Sequence, residues 1–395
     1  MKTFKKLFLL SFLLLMLLPA LQHGAGFVRV EKVNENRAKV GWPAGNLLAG
    51  PVVDKGYTTK VEAYFADNFP LRDLLLRAHG QIEYSLLGIA REVIVGRDGW
   101  LSDKKLLAEH LHQLDQLDEG QVRSGILQLK RLQHWLAARD TRFLVVIVPL
   151  KPSIYPEVFP EKYKRRTARS GLQKFQEALA VNGVPFIDLH AEFRKKRDAE
   201  RLYYQTDMHW NSVSVLLASQ AIVNHFGREF HGRDLFSETP AKRMRPMAGE
   251  ELRAIPLLFP QPEMMPFWEV EGLFAKAKSE VPAIEVVRGT DPRRAVLPPT
   301  LMFGNSFMIP YVSAGYRNYF ESSSWALDYA EFSKVLDLVR PEHKSVVLHI
   351  YETQLQYHIM PTGRAKAWSG SAAYWDKRIE ALPLPPGFRY RAVDL

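Results

Sequence analysis

Hydrophobic and polar positions divide the chain into regimes that can be read in order. An apolar run from Leu7 to Leu18 follows Lys2, Lys5 and Lys6, and Pro19 breaks it ahead of Gly24, Ala25 and Gly26. A basic flank, a short apolar stretch and a small-residue exit describe a secretory signal. The run approaches the ~20 residues needed to span a bilayer. Residues 1–26 are therefore read as a signal peptide or an N-terminal membrane anchor, which places the protein in the periplasm or on the outer face of the cytoplasmic membrane. Residues 27–60 are polar and punctuated by Gly and Pro, and read as a linker; residues 61–395 read as one domain.

Within that domain the period of the apolar positions changes repeatedly. Phe65, Phe69, Leu71 and Leu74 to Leu76 line one helical side, and Pro70 splits the stretch into two helices meeting near Asn68. Val93 to Val95, the turn residues Arg97-Asp98-Gly99 and Trp100-Leu101 predict a strand, a turn and a second strand. Leucines at helical spacing run from Leu106 to Arg139, with Asp118-Glu119-Gly120 separating two helices. Phe143–Val148 is a continuous apolar run of strand length, suited to a strand buried on both faces of a parallel sheet, and Ser345–Tyr351 reads as another strand of the buried type. Leu172–Ala180 predicts a helix closed by Asn182-Gly183, followed by a strand at Val184–Leu189 and helix at Ala191–Arg197. Val213–Phe226 reads as an apolar helix, residues 233–295 as irregular, Val296–Phe303 as a strand, and Trp325–Val339 as a helix. The Pro/Gly-rich last forty or so residues read as a surface wrap. Strands alternating with helices make this an α/β fold with a mostly parallel sheet, and ligands of such sheets sit beyond the carboxyl ends of the strands.

Composition alters little of this and adds two constraints. The 395 residues are 47% hydrophobic and 24% charged, as in an ordinary globular protein, and include no cysteine. An exported fold without disulfides relies on its core alone, and Cys nucleophiles and thiolate metal sites are excluded. The formal net charge is +10, of which the leader carries three lysines. For an exported protein this favours acidic glycans, anionic lipid or a negatively charged wall as partners over nucleic acid. The basic stretches Lys162–Arg169 and Arg194–Arg201 read most simply as solvated faces.

Two segments could carry chemistry. In Thr206-Asp207-Met208-His209-Trp210-Asn211 the carboxylate and imidazole lie two apart and share a face in extended or turn backbone. Asp207 can then orient His209 through Nδ1 and leave Nε2 free as a base, while Trp210 could wall the site against water. A polar helix cap with a satisfied histidine explains the same residues. A metal pair is the weaker alternative, because the next histidine, His225, falls in an apolar helix with no further local carboxylate. The second segment is Phe303-Gly304-Asn305-Ser306-Phe307, where an apolar strand runs into a flexible Gly and a Ser. A hydroxyl there can project at the sheet's carboxyl edge, with the Ser306 N–H and Asn305 available to an oxyanion; an ordinary turn accounts for the tripeptide equally well. His110, His112 and His134 fall in helical patterns and His349 in a buried strand, and read as packing or surface residues. Tyr351 and Glu352 follow a strand and are candidate site-lining residues, as is Gly304. The chemistry calls for no cofactor and no metal.

Five ordered landmarks resemble the AlgX/AlgJ-type family of SGNH-hydrolase-like polysaccharide O-acetyltransferases. They are Tyr64-Phe65-Ala66-Asp67-Asn68-Phe69-Pro70-Leu71-Arg72, Val95-Gly96-Arg97-Asp98-Gly99-Trp100-Leu101, Val148-Pro149-Leu150-Lys151-Pro152-Ser153-Ile154-Tyr155-Pro156-Glu157, Thr206-Asp207-Met208-His209-Trp210 and Phe303-Gly304-Asn305-Ser306-Phe307. The resemblance implies a flavodoxin-like SGNH fold with permuted motif order. It implies Ser306 as nucleophile, His209 as base and Asp207 as orienting acid, passing an acetyl group through an acyl-enzyme to a sugar hydroxyl of an extracellular polysaccharide. It also implies a membrane-bound O-acyltransferase as donor partner. Asn305 and the segment Ile350-Tyr351-Glu352 depart from the family's usual pattern. A carbohydrate acetylesterase with the same triad, and a non-catalytic glycan-binding subunit of an export complex, are the competing readings.

Overall fold

The computed structural model describes residues 2–33, 35, 37–44, 55–113, 117–163, 170–279, 284–327, 332–355 and 377–393. The chain divides into two compact units, one of Met1–Val95 with Leu252–Gln261 and one of Gly96–Glu251 with Pro262–Leu395.

In the smaller unit the apolar N-terminal run forms a single helix, α1 (Lys2–Ala25), of which Phe4–Ala25 is long and apolar enough to cross a membrane. Helices α2 (Lys55–Asn68) and α3 (Arg72–Ile82) meet at Phe69-Pro70-Leu71, where the sequence predicts the break, because proline cannot continue α2. A single π turn, Glu83–Leu87, prolongs α3. Described residues before α2 fasten to its end: Arg37 forks onto Asp67 at 2.6 Å through both terminal guanidinium nitrogens, and the Val40 N–H donates to the same carboxylate. Gly80 admits Pro256 from the second piece of this unit, whose carbonyl oxygen lies where a Cβ would stand. Strand β1 (Val93–Val95) ends the unit.

The larger unit opens with a turn at Arg97–Gly99, in which Asp98 has φ 52°, followed by β2 (Leu101–Asp103) and α4 (Lys104–Gln113). Helix α5 (Glu119–Ala137) starts where Asp118 and Gln121 form a reciprocal capping box, satisfying two N–H groups that a helix start leaves open. Then come β3 (Arg142–Val148), α6 (Lys151–Ile154), α7 (Gly171–Val181), β4 (Phe186–Ile187), α8 (Leu189–Lys196) and α9 (Ser212–His231). The side chains of His110 and His112 and residues 164–169 of the basic stretch lie outside the described residues.

Residues 233–295, expected to be irregular, contain β5 (Ala241–Met247), β6 (Glu263–Glu269), β7 (Phe274–Ala277) and β8 (Ile284–Gly289), with the short helix α10 (Glu250–Ala254) between the first two. Strands β5 and β6 form an antiparallel ribbon that carries Pro246 and Pro266; proline is tolerated in such edge pairs and hides them from pattern reading. Strand β9 (Thr300–Gly304) begins only after Pro298-Pro299. Residues from Trp325 were expected to open a helix; instead β10 (Ser322–Leu327) pairs with β9 along its whole length, so tertiary pairing overrides the local pattern. After α11 (Val335–Leu338) and β11 (Ser345–Tyr351) the chain ends with α12 (Lys377–Glu380), which buries Ile379. Beyond it the backbone of Arg391 exchanges two hydrogen bonds with the Asn182 amide. Most of the expected surface wrap, residues 356–376, lies outside the described residues.

Seven strands form one sheet in the order β4-β3-β11-β9-β10-β8-β7, parallel from β4 to β10, with β8 and β7 added antiparallel. Alternate residues of the central strands feed two cores. Leu144, Val146, Val148, Met302 and Val347 pack with α8 and α9, and Phe143, Val145, Ile147, Leu301 and Leu348 pack with α5 and α7. The fold is thus α/β with a mostly parallel sheet covered on both faces. Its central strands β3, β11 and β9 end side by side, at Val148, Tyr351 and Gly304.

Candidate active site

The carboxyl ends of these three strands meet the loop Tyr203–Trp210. Strand β9 ends at Gly304 because nothing larger fits. A Cβ there would lie 1.9 Å from the His349 carbonyl oxygen and 2.9 Å from Met308 Sδ. Asn305 then caps a 3-10 helix, Ser306–Ser313, its Oδ1 accepting from the Phe307 N–H at 2.9 Å. Ser306 is the first residue of that helix. Among the described residues nothing accepts from its backbone N–H, which stands at the partially positive start of the turn.

His209 reaches Ser306 from the loop before α9. Its Nε2 lies 3.0 Å from Ser306 Oγ, and its Nδ1 2.7 Å from Asp207 Oδ1. The Asp207 carboxylate also accepts from the His209 N–H at 2.9 Å and, through Oδ2, from the Glu250 N–H at 2.9 Å. Burial pushes this carboxyl upward, but the hydrogen bonds from His209 and Glu250 outweigh it and hold it at about 2. Ionised, it can only accept, so Nδ1 carries the ring proton and Nε2 is left as the acceptor for Ser306. Asp207 is buried while His209 and Ser306 are partly exposed, which leaves the hydroxyl reachable from solvent.

The loop is held from three sides. Lys151, 2% exposed, donates through Nζ to the carbonyls of Tyr204, Gln205 and Asp207 at 3.2, 3.2 and 2.8 Å. Burial lowers its pKa, against the raising influence of Glu251, Asp207 and Glu263. Glu263 accepts from the Gln205 N–H at 2.9 Å and from the Thr206 N–H and hydroxyl, both at 2.8 Å. Gly249 donates its N–H to Thr206 Oγ1 and approaches so closely that a Cβ would lie 2.0 Å from the Thr206 carbonyl oxygen. Next to it Glu251 is buried, and burial pushes its carboxyl up to about 7 despite the attraction of Lys151.

Other candidates stand behind the reacting groups. Trp210 is fully buried and donates from Nε1 to the Phe307 carbonyl at 3.0 Å, fastening the start of α9 to the serine turn. Phe307 lies between the rings of His209, 4.5 Å away centroid to centroid, and Tyr351, stacked at 5.2 Å. Glu352 is buried and braces the end of β3, accepting from the Leu150 N–H at 2.8 Å and the Ser153 hydroxyl at 2.6 Å. Asn305 gives one N–H of its amide to Gln354 Oε1, which fastens the residue to the segment after β11. His349 packs against Trp210 and Tyr311, and burial lowers it to about 3, as befits a neutral core residue. Asp207, His209 and Glu250 bring one ligand atom each within 4.8 Å of one another. Of these atoms, His209 Nδ1 and Asp207 Oδ1 are engaged with each other at 2.7 Å.

Residues 93–254 match the family described as "SGNH hydrolase-like domain, acetyltransferase AlgX". That stretch of the chain is similar to an SGNH hydrolase-like domain of the AlgX type. The match includes Asp207 and His209, and Ser306 lies beyond it. A protein of Pseudomonas aeruginosa named "Probable alginate O-acetylase AlgJ" is 24% identical over 230 residues, covering 54% of this chain and 56% of the relative. Its namesake from Azotobacter vinelandii is 24% identical over 162 residues, 40% of each chain. The chain thus spans about half the length of the curated relatives it matches. Among solved structures, the O-acetyltransferase domain of Pseudomonas putida AlgJ superposes with a TM-score of 0.45 at 16% identity, covering 67% of this chain and 91% of that one. Bacillus cereus PatB1 gives a TM-score of 0.47 at 14% identity, with 67% and 97% covered.

Proposed function

We propose that this protein is an O-acetyltransferase that moves an acetyl group, through an ester on Ser306, onto hydroxyls of a cell-envelope polysaccharide. The observation that carries the reading is the unbroken line of hydrogen bonds from Asp207 through His209 to Ser306, at 2.7 and 3.0 Å. The relatives named as alginate O-acetylases support the class of reaction, and the positive net charge suits an acidic glycan.

In the first half-reaction His209 Nε2 takes the Ser306 proton as Oγ attacks the acetyl carbonyl. The charge that develops on the carbonyl oxygen is met by the Ser306 N–H. The imidazolium, steadied by ionised Asp207, returns the proton to the departing donor, leaving acetyl-Ser306. In the second half-reaction a sugar hydroxyl gives its proton to Nε2 and attacks the ester carbonyl, and Nε2 passes that proton to the departing Ser306 Oγ, restoring the free serine and leaving the acetylated sugar. The donor is supplied by a membrane-bound O-acyltransferase, as the family resemblance implies, and α1 holds the protein to the periplasmic side of the membrane as leader or anchor.

The test uses p-nitrophenyl acetate as donor, with and without oligosaccharide acceptors, and compares the native chain with Ser306→Ala. Loss of both p-nitrophenol release and acetylated sugar in the variant supports the nucleophile, and equal activity refutes it. Release that is not accelerated by any acceptor, with free acetate the sole product, would instead identify a carbohydrate acetylesterase.

A further inference from the structure

The smaller unit presents apolar side chains that its own packing leaves uncovered. Leu75, Ile82 and Leu86 recur with His79 at the spacing of one helical face along α3 and its π turn. Leu86 is 77% exposed and Leu87 63%, and Ile82 and Ile89 beside them are also exposed. A further apolar cavity of about 480 Å³ opens along Phe65, Phe69, Leu75 and Leu76. Contiguous exposed apolar surface of this kind marks an interaction site.

Chain connectivity says what it meets. The predominantly apolar span Phe4–Ala25 of α1 is 22 residues long with none buried, which at 1.5 Å per residue extends roughly 33 Å and matches a hydrocarbon core of about 30 Å. Only Gly26 to Val30 separate its end from the point where the chain is fastened to α3. Arg77 donates to the Glu31 and Lys32 carbonyls at 2.7 and 3.3 Å, and the Val33 N–H donates to Asp73 at 3.2 Å. From there the segment runs towards the start of α3 and then to α2, since Glu35 pairs with Arg72 and Arg37 with Asp67. Helix α1 therefore leaves from the C-terminal end of α3. Five extended residues reach no more than about 18 Å, and Leu86 lies nine residues beyond Arg77, roughly 13 Å along a helix. The apolar tip and the exit of the spanning helix are confined to the same neighbourhood.

We propose that the tip formed by Ile82, Leu86, Leu87 and Ile89 rests in the lipid surface from which α1 emerges, giving the protein a second, interfacial foothold on the membrane. The proposal rests on α1 remaining in the bilayer as an anchor. A soluble partner could cover apolar side chains equally well, but the short tether favours lipid, because it keeps the tip beside the bilayer whatever else is bound.

The absence of cysteine from the sequence makes the test direct. The full chain carrying Leu86→Cys or Leu87→Cys is labelled with an environment-sensitive fluorophore and reconstituted through α1 into vesicles of phosphatidylcholine and phosphatidylglycerol. Glu342→Cys, in an exposed turn of the larger unit, serves as the reference. The expected result is several-fold brighter, blue-shifted emission at the two tip positions, quenched by lipids bearing a spin label just below the headgroup, with neither change at Glu342→Cys. Tip labels that behave like the reference overturn the proposal. Bright emission without quenching by lipid also overturns it, by showing that protein covers the tip. A mass for the membrane-extracted native chain that lacks the first 25 or so residues would remove the anchor itself, a failure separate from that of the tip.

Discussion

Replacing Lys151 with methionine isolates the part of the site that holds the Asp207–His209 loop in place. The change keeps the length of the side chain and removes its charge and donors. Three carbonyls, those of Tyr204, Gln205 and Asp207, lose the ammonium that now satisfies them within 3.2 Å. An unsatisfied buried acceptor costs about 1–3 kcal/mol, and removing one member of a buried charged cluster costs about 3–5 kcal/mol. These overlap, so a loss of about 3–5 kcal/mol is expected in urea unfolding of the full chain. The rate should suffer as well, since both Asp207 and His209 ride on the loop and a displacement of roughly 1 Å at a reacting group can cost about 100-fold. The assay is p-nitrophenol release at saturating donor, with circular dichroism confirming that the variant is folded at the assay temperature. Lys151→Arg should not rescue, because a planar guanidinium does not fit a pocket built around a single point charge. A Lys151→Met variant within about 0.5 kcal/mol of native stability and within twofold of native rate would refute the reasoning.

Three further outcomes follow from named contacts. Gly304→Ala must part β9 from β11, since the new methyl would stand 1.9 Å from the His349 carbonyl; overpacking of this severity costs about 3 kcal/mol or more, read as a lowered urea midpoint. Asp207→Asn should slow acetyl release by about 10⁴-fold while leaving the fold intact, because the amide no longer fixes the proton on Nδ1; a loss below tenfold would exclude Asp207 as the orienting acid. Glu251, raised by burial to about 7 from an ordinary 4.5, contributes stability that is fully present below about pH 4.5 and is lost as pH rises through 7. Glu251→Gln should therefore unfold about 2–3 kcal/mol later than the native chain at pH 8 and gain nothing at pH 4; equal stability at both pH values would contradict this.

How far the sequence foretold these features depends on what each residue type can show by itself. The buried parallel strands were legible because Phe143–Val148 is apolar at every position and Ser345–Tyr351 departs from that only at Ser345 and His349, a pattern that suits a sheet covered on both faces. The break at Pro70, the helix boundary at Asp118-Glu119-Gly120 and the Asn182-Gly183 stop were legible because each is marked by residues with a backbone preference. Asp207, His209 and Ser306 were legible as types at strand ends, and the fold brings all three within hydrogen-bonding distance. The ribbon β5–β6 was hidden by its prolines, and β10 by a Trp-Ala-Leu start that reads as readily as helix. The supports of the site were also hidden. Lys151 stood inside a quoted motif with no role attached, and Glu263 and Gly249 lie 57 and 43 residues from the Thr206 they hold. Such long-range polar contacts leave no period in a sequence. Asn305 and Trp210 were noticed for their neighbourhood, and their hydrogen bonds to Gln354 and Phe307 are fastening contacts that no sequence pattern announced.

The central claim is that Ser306 carries the acetyl group, and trapping it is the most direct measurement. The full chain is mixed with p-nitrophenyl acetate, quenched in acid within the first turnovers, digested and analysed by mass spectrometry. The account predicts one acetyl group, on the peptide containing Ser306, that accumulates without acceptor, disappears when an acceptor glycan is added before the quench, and is missing from Ser306→Ala. Acetylation confined to lysines or to another serine, or unchanged acetyl transfer by Ser306→Ala, would contradict it.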